Sequence, residues 1–336
     1  MAQQMPGTSP PRLIALDWGT SSLRAWLLGD DGRILAVRRR EFGVLGVTGD
    51  DPGSPARDYE IAFDLACGNW LDANPDLPAI ACGMVGSAQG WREACYLTIP
   101  TDLDIGAADL TVVPHSRGVV HLVPGLRVAS ATGRAVAGDV MRGEETQIIG
   151  VLGLLPPTEH PVTIVLPGTH SKWTRVEDHK IASFVTSMTG EVYGLMMKHS
   201  ILGRTAAAGI RDDAAFERGL AAGGSLPSHG LLAELFGARV LVLDGLLDPA
   251  SVPDYVSGVI IGDEIRHLLP EYAPDNRILL CGNTDLCRRY AQGLRPHGVV
   301  TETVAEEAAA AGLWHVAVTA GLVRPTPGAI PGKGTP

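Results

Sequence analysis

One pattern occurs twice in this chain of 336 residues. The segments IALDWGTSSLRAWLLGDDGRILAVR (14–38) and IVLPGTHSKWTRVEDHKIASFV (164–185) both read as apolar strand, Gly-Thr turn, second strand, polar turn, third strand. With Gly19 laid on Gly168, the run Gly19-Thr20-Ser21-Ser22-Leu23-Arg24-Ala25-Trp26 overlies Gly168-Thr169-His170-Ser171-Lys172-Trp173-Thr174-Arg175. Copies about half a chain apart are what an ancient duplication leaves. They constrain the fold to two lobes, each opening on a hydroxyl-rich hairpin, around a cleft suited to grip a phosphate chain from both sides.

The chemistry of the hairpin carries that expectation. Glycine at the tip lets backbone approach an anion without a Cβ in the way, and the hydroxyls and N–H groups beside it form a concave donor surface for phosphate oxygens. The phosphate-binding candidates are therefore Gly19, Thr20, Ser21 and Arg24 in the first copy and Gly168, Thr169, His170 and Lys172 in the second. The copies differ at two aligned places: Asp17 stands where the second has Leu166, and Lys172 where the first has Leu23. Only the first copy thus brings a carboxylate able to hold Mg²⁺ beside phosphate oxygens, through waters. The plain alternative is two ordinary hairpin turns with Asp17 ending a strand.

Further blocks follow in order: CGMVGSAQGW (82–91), MRGEETQIIG (141–150), LPGTHSKW (166–173) and SMTGE (187–191). With Asp17-Trp18-Gly19-Thr20 and Leu23-Arg24-Ala25-Trp26 they resemble the 2-dehydro-3-deoxygalactonokinase family, sugar-acid kinases of the actin/hexokinase/Hsp70 superfold. The resemblance spans residues 12 to about 325. It implies two ribonuclease-H-like α/β lobes around a nucleotide cleft. It also implies ATP and Mg²⁺ as cofactors, and transfer of phosphate to the 6-hydroxyl of 2-dehydro-3-deoxy-D-galactonate in galactonate catabolism. The GEE of MRGEETQ is similar as well to the block carrying the catalytic Glu of exopolyphosphatases, which keeps a phosphohydrolase as the alternative. A nucleotide-gated interaction protein like actin or Hsp70 is the third class, for which the chain leaves little room.

Composition narrows the partners. A formal charge of −10 argues against general nucleic-acid or anionic-membrane binding, which need extended basic surface. Anionic ligands must be held by local charge, and Arg24, Arg142, Lys172 and Arg175 lie in or beside the motifs. The five cysteines form no CxxC pair, so reduced core thiols are expected rather than a disulfide framework or zinc site. The N-terminus lacks an apolar leader core and no window reaches the length of a membrane span, which predicts a cytoplasmic protein. A homodimer is left open.

Along the chain, 1–11 and 326–336 are Pro/Gly-rich and expected to be disordered. The boundary between an N-terminal lobe (12–155) and a C-terminal lobe (156–325) is placed after a predicted helix over 138–155, whose apolar positions could pack between lobes. Other predicted helices cover 59–74, 187–203, 213–224, 251–272 and 301–323, the last able to pack back on the N-terminal lobe. RILLCGNTDLCRRYAQGL (277–294) reads as strand, turn and helix.

Phosphoryl transfer to a hydroxyl needs a proton acceptor. Glu144 and Glu145 are adjacent, so on a helix only one can face a given ligand; either is a candidate base, with Asp17 a rival. Their plain reading is first-turn acids complementing a helix dipole. Arg142 is the candidate partner of the substrate carboxylate, which its fork matches in two parallel bonds. Gly83, Ser87, Gln89 and Trp91 are candidates to line a polyol pocket, and the resemblance implies that Glu191 binds substrate hydroxyls and that Gly282, Asn283 and Thr284 form the adenosine-side turn. A tight structural turn, and a helix N-terminus capped by Asn283, are the plain readings of the last two groups.

Overall fold

The computed structural model describes residues 9–47, 55–130, 137–155, 161–225, 230–273, 277–304 and 307–325. The two terminal segments expected to be disordered lie outside the described residues, apart from 9–11. There Ser9 is tied down: its Oγ donates to Asp30 Oδ2 at 3.1 Å and accepts from the Asp30 N–H at 2.9 Å. The chain divides into two units. One contains the described residues up to 155 with 179–181 and 307–325; the other contains 161–178 and 182–304.

In the first unit, β1 (Leu13–Trp18), β2 (Leu23–Leu28) and β3 (Ile34–Arg40) form the expected antiparallel meander. The short α1 (Val44–Val47) and the long α2 (Pro55–Ala73) lead to β4 (Ala79–Cys82), parallel to β1. Next come β5 (Tyr96–Thr98), β6 (Thr101–Asp102), β7 (Thr111–His115), β8 (Gly118–Leu122), β9 (Gly125–Val128), β10 (Asp139–Met141) and α3 (Glu144–Leu154). The six-stranded sheet runs β3-β2-β1-β4-β8-β7, and β10-β9-β5 make a separate three-stranded sheet. β1 is central and apolar on both faces, as a strand covered on both sides must be. Ile14, Leu16 and Trp18 pack with Tyr59 and Phe63 of α2. Leu13 and Ala15 pack on the opposite face with Ile149 of α3 and with Leu313 and Val316 of α10 (Ala308–Thr319). Two-residue periodicity therefore puts Asp17 on the face that α3 and α10 cover.

The second unit repeats the plan. β11 (Val162–Leu166), β12 (Ser171–Glu177) and β13 (Lys180–Ser187) give the second meander. After them come α4 (Thr189–His199), α5 (Ile201–Thr205), α6 (Asp213–Gly224), α7 (Leu231–Leu243) and α8 (Val252–Tyr272), then β14 (Arg277–Cys281), α9 (Thr284–Leu294) and β15 (Val300–Val304). Its strands run β15-β14-β11-β12-β13, with β14 parallel to β11 and β15 parallel to β14. Read from each first strand, both units share the order third, second, first, fourth, fifth with an antiparallel second strand, which is the ribonuclease-H-like arrangement. Lys180 and Ile181, grouped with the first unit, pair with Asp102 and Thr101 of β6.

Three expectations change. The helix over 138–155 starts only at Glu144, because Gly143 has φ 108° and the residues before it form β10; α3 packs on α10 of its own unit, with Ile148, Ile149 and Val151 buried. The run 301–323 is not one helix: the β-branched Val300–Val304 pairs as a strand and α10 begins at Ala308. The hairpins also differ in register. Asp17 faces Arg24 across the first, and Leu166 faces Lys172 across the second. Lys172 is therefore the positional equivalent of Arg24, not of Leu23. The loop is one residue longer because Pro167, lacking an N–H, does not extend the ladder.

Candidate functional site

Three carboxylates meet in the first unit at the carboxyl ends of β1 and β4, where open α/β sheets place ligands. Asp17 ends β1; Glu144 and Glu145 open α3. Two glycines make the approach possible. A Cβ on Gly83 would lie 2.8 Å from the Trp18 carbonyl oxygen and 3.4 Å from Asp17 Oδ1, and one on Gly143 would lie 3.2 Å from the Gly83 Cα. Both have positive φ, 90° and 108°, a conformation that suits glycine.

The electrostatics are strained toward protonation. Burial raises Asp17 from 3.8 to about 6, with Arg24 opposing and Glu144 reinforcing. Burial, then the Glu144 charge, raises Glu145 from 4.5 to about 7. Cys82 lies within the field of all three carboxylates, and burial followed by those charges pushes its thiol far up. Glu145 is 1% exposed; its Oε2 accepts the Gly143 N–H at 2.7 Å and its Oε1 accepts from Thr146 Oγ1 at 3.0 Å. Glu144 is partly exposed and its Oε2 accepts the Arg142 N–H at 3.1 Å. The adjacent acids thus differ: one is sealed on the loop backbone, the other reaches the surface.

Arg142 is buried, not a surface partner of those acids. Its guanidinium lies 4.2 Å over the Tyr96 ring, and Nη2 donates to the carbonyls of Ala94 at 2.8 Å and Cys95 at 3.4 Å. Nη1 is buried without a partner, and so is the Oγ of Ser87. Gly86, one residue before Ser87, makes room: a Cβ there would be 2.9 Å from Nη1. Trp91 departs from its expected role as a pocket wall. It is 9% exposed and packs with Trp18, Tyr59, Phe63 and His115 in an aromatic cluster. Gln89 is exposed and its backbone carbonyl accepts from Tyr59 Oη at 2.9 Å.

The two hairpin tips are braced alike. In the first unit, Gly43 presses on the tip, where a Cβ would lie 2.3 Å from Thr20 backbone. The N–H groups of Val44 and Leu45 then donate to the carbonyls of Gly19 and Thr20 at 3.0 and 3.2 Å. In the second, Gly190 takes that part against Gly168 and Thr169, and the Glu191 N–H donates to the Thr169 carbonyl at 2.9 Å. Thr20 and Ser21 remain exposed, as do Thr169 and His170.

Within the second unit a cavity of about 340 Å³ is lined by Gly168 and Thr169 of the tip, Thr189 and Tyr193 of α4, and Arg289 and Tyr290 of α9, among others. Arg289 bonds Asp254 through Nη2 and stacks 4.6 Å over Phe216, while its Nη1 is buried without a partner. Gly282, Asn283 and Thr284 do not line the cavity but start the helix that does. Gly282 has φ 142°, and Asn283 Oδ1 accepts the N–H groups of Asp285 at 3.0 Å and Leu286 at 3.2 Å. Lys172 is 3% exposed and donates to the His170 carbonyl at 3.2 Å. His170 Nε2 and Glu191 Oε2 are 2.5 Å apart, so Glu191 stands in the second unit while the other substrate candidates stand in the first.

The sequence reading missed Glu264. It is 5% exposed and its carboxylate accepts from Ser171 Oγ at 2.7 Å, Trp173 Nε1 at 2.6 Å, Tyr290 Oη at 2.8 Å and Thr189 Oγ1. One buried acid thus ties the second hairpin to α4 and α9, the elements around the cavity. The signal was present: Glu264 interrupts the apolar stripe of Ile260, Ile261, Ile265 and Leu268. Among the described residues no group of three His, Cys, Asp or Glu side chains is arranged as metal ligands. No helix of the described residues is long and apolar enough to cross a membrane. Cys95 is exposed, unlike the other four thiols, and all five are free.

Residues 17–316 match the family model of 2-keto-3-deoxy-galactonokinase. The chain is similar to the 2-dehydro-3-deoxygalactonokinase of Escherichia coli (strain K12), with 34% identity over 307 residues, 91% of this chain and 97% of that protein. It is also similar to the crystal structure of a Sinorhizobium meliloti protein described in the same terms, with a TM-score of 0.79 at 32% identity over 91% of this chain and 98% of the other.

Proposed function

The chain belongs to the 2-keto-3-deoxy-galactonokinase family and is a kinase, and on that premise we propose that it moves the γ-phosphoryl group of ATP to the 6-hydroxyl of 2-dehydro-3-deoxy-D-galactonate. The observation that carries the substrate class is Arg142. A buried guanidinium that forms no ion pair among the described residues, with an unpartnered Nη1 beside an unpartnered Ser87 hydroxyl, is costly unless a ligand completes it. A sugar acid supplies the matching carboxylate.

The carboxylates divide the remaining work. Glu144, the one of the adjacent pair that reaches the surface, accepts the proton of the attacking hydroxyl. Glu145 holds Gly143 and so sets where α3 begins. Asp17 fits a divalent cation, since a carboxylate raised to about 6 by burial and a neighbouring acid is stabilised by added positive charge. Magnesium is commonly held by one or two carboxylates, waters and phosphate oxygens rather than a full cage. Bound there, Mg²⁺ would neutralise charge on the transferring phosphate. In our reading the two braced tips hold the phosphate chain, with Gly168 and Thr169 continuing into the cavity that takes the adenosine.

The test is a coupled assay for ADP with a panel of 2-keto-3-deoxy sugar acids. ADP release that depends on 2-dehydro-3-deoxy-D-galactonate supports the proposal; equal ADP release without any sugar acid sinks it. A phosphohydrolase is not supported, because the family and the E. coli relative are kinases.

A further inference from the structure

Helix α7 is apolar on two opposite faces. The inner face buries Leu235 and Ala238 with Leu202, Val256 and Val259. The outer face exposes Leu232 at 81%, Phe236 at 57%, Val240 at 43% and Leu243 at 69%, and Leu246, at 60%, continues the stripe. Their helical spacing keeps these side chains on one face. A water-facing helix normally carries charge there, yet the charged residues of α7 are Glu234 and Arg239, and Arg239 turns aside to donate to Thr205 Oγ1 at 3.0 Å.

We infer that this stripe is the two-fold interface of a homodimer. At roughly 150–200 Å² for each such side chain when fully exposed, the stripe presents on the order of 550 Å² of apolar surface, at the upper end of what monomers leave open. Paired with itself it buries about 1,100 Å², above the roughly 1,000 Å² a specific interface needs. A two-fold axis requires one self-complementary patch. Antiparallel α7 helices set Leu232 against Leu243 and the large Phe236 against the smaller Val240. Gly237 lies between them, and a Cβ there would meet only Glu234 Oε1 within 4 Å, at 3.9 Å, so a second helix can approach the backbone. The uncharged face offers nothing to select an acidic or basic partner. A second copy is the partner sure to present a matching stripe of equal length.

Sedimentation velocity of the full chain, from micromolar to about 100 μM, tests this. The wild type should sediment with the mass of two 35.3 kDa chains, and about 1 M salt should leave the dimer intact, because no charge pair holds it. Phe236→Asp and Leu243→Lys should each weaken association by about a hundredfold or more while keeping the wild-type circular dichroism, since both sites are solvent-facing. Val240→Asn replaces either variant that fails to fold. A wild type that stays monomeric throughout, or a dimer that persists in folded Phe236→Asp and Leu243→Lys, overturns the inference.

Discussion

Replacing Glu145 by Gln should make the protein more stable at neutral pH and remove a pH dependence from it. Glu145 is 1% exposed and raised from 4.5 to about 7, first by burial and then by Glu144. Because the folded state holds this proton more tightly than the unfolded chain does, stability is highest below pH 4.5. It falls as pH rises to about 7, and is level above that. The rise in pKa corresponds to about 3 kcal/mol at 1.36 kcal/mol per pH unit. Glutamine cannot ionise, so it escapes that loss. It keeps an oxygen for the Gly143 N–H, and the Thr146 hydroxyl can turn to accept from its amide. The weaker neutral hydrogen bond gives back about 1 kcal/mol, leaving the variant about 2 kcal/mol more stable near pH 8 and no more stable than wild type near pH 4. Urea unfolding followed by tryptophan fluorescence in metal-free buffer reads this out. Of the six tryptophans, Trp18, Trp26, Trp70, Trp91 and Trp314 belong to the first unit, so the signal reports the unit in question. A stability difference that stays constant between pH 4 and 8, or a variant less stable at pH 8, would refute the reasoning.

Asp17→Asn should lower kcat by about a hundredfold or more while unfolding normally, and Glu144→Gln should lower kcat far more than Glu145→Gln does; steady-state kinetics of the three variants decide both. Arg142→Lys keeps a charge but loses the fork, so KM for the sugar acid should rise tenfold or more with KM for ATP unmoved; an effect on ATP alone would reassign the residue to the phosphate chain. Gly150→Ala places a Cβ 1.8 Å from the Ala308 carbonyl oxygen, so it should destabilise by about 3 kcal/mol or more in urea unfolding by forcing α3 off α10. Glu264→Ala strands the Trp173 indole N–H and three hydroxyls and should cost about 3 kcal/mol or more, whereas Glu264→Gln should cost much less; equal losses would mean that the hydrogen bonds are not what the acid contributes.

The sequence by itself determined the duplicated architecture and its chemistry-bearing blocks, because a strand-turn-strand repeat is written in local periodicity and in the glycines and hydroxyls of its turns. It also determined the family, through blocks that keep their order. What it could not determine depends on partners distant in the chain. The register that sets Lys172 opposite Leu166 follows from how the β11–β12 ladder closes around Pro167. The strand Val300–Val304 forms because β14 offers it an edge; alone, its neighbours read as helix. Arg142 and Trp91 look like surface site residues until Tyr96, Ala94 and the aromatic cluster close over them. The grouping of Asp17, Glu144 and Glu145, and with it the rise of two pKa values toward neutrality, exists only once Gly83 and Gly143 bring two strand ends and a helix start together. Residue types and spacing reveal which groups can do chemistry, but desolvation and mutual repulsion are properties of distance, and only the tertiary structure sets those distances.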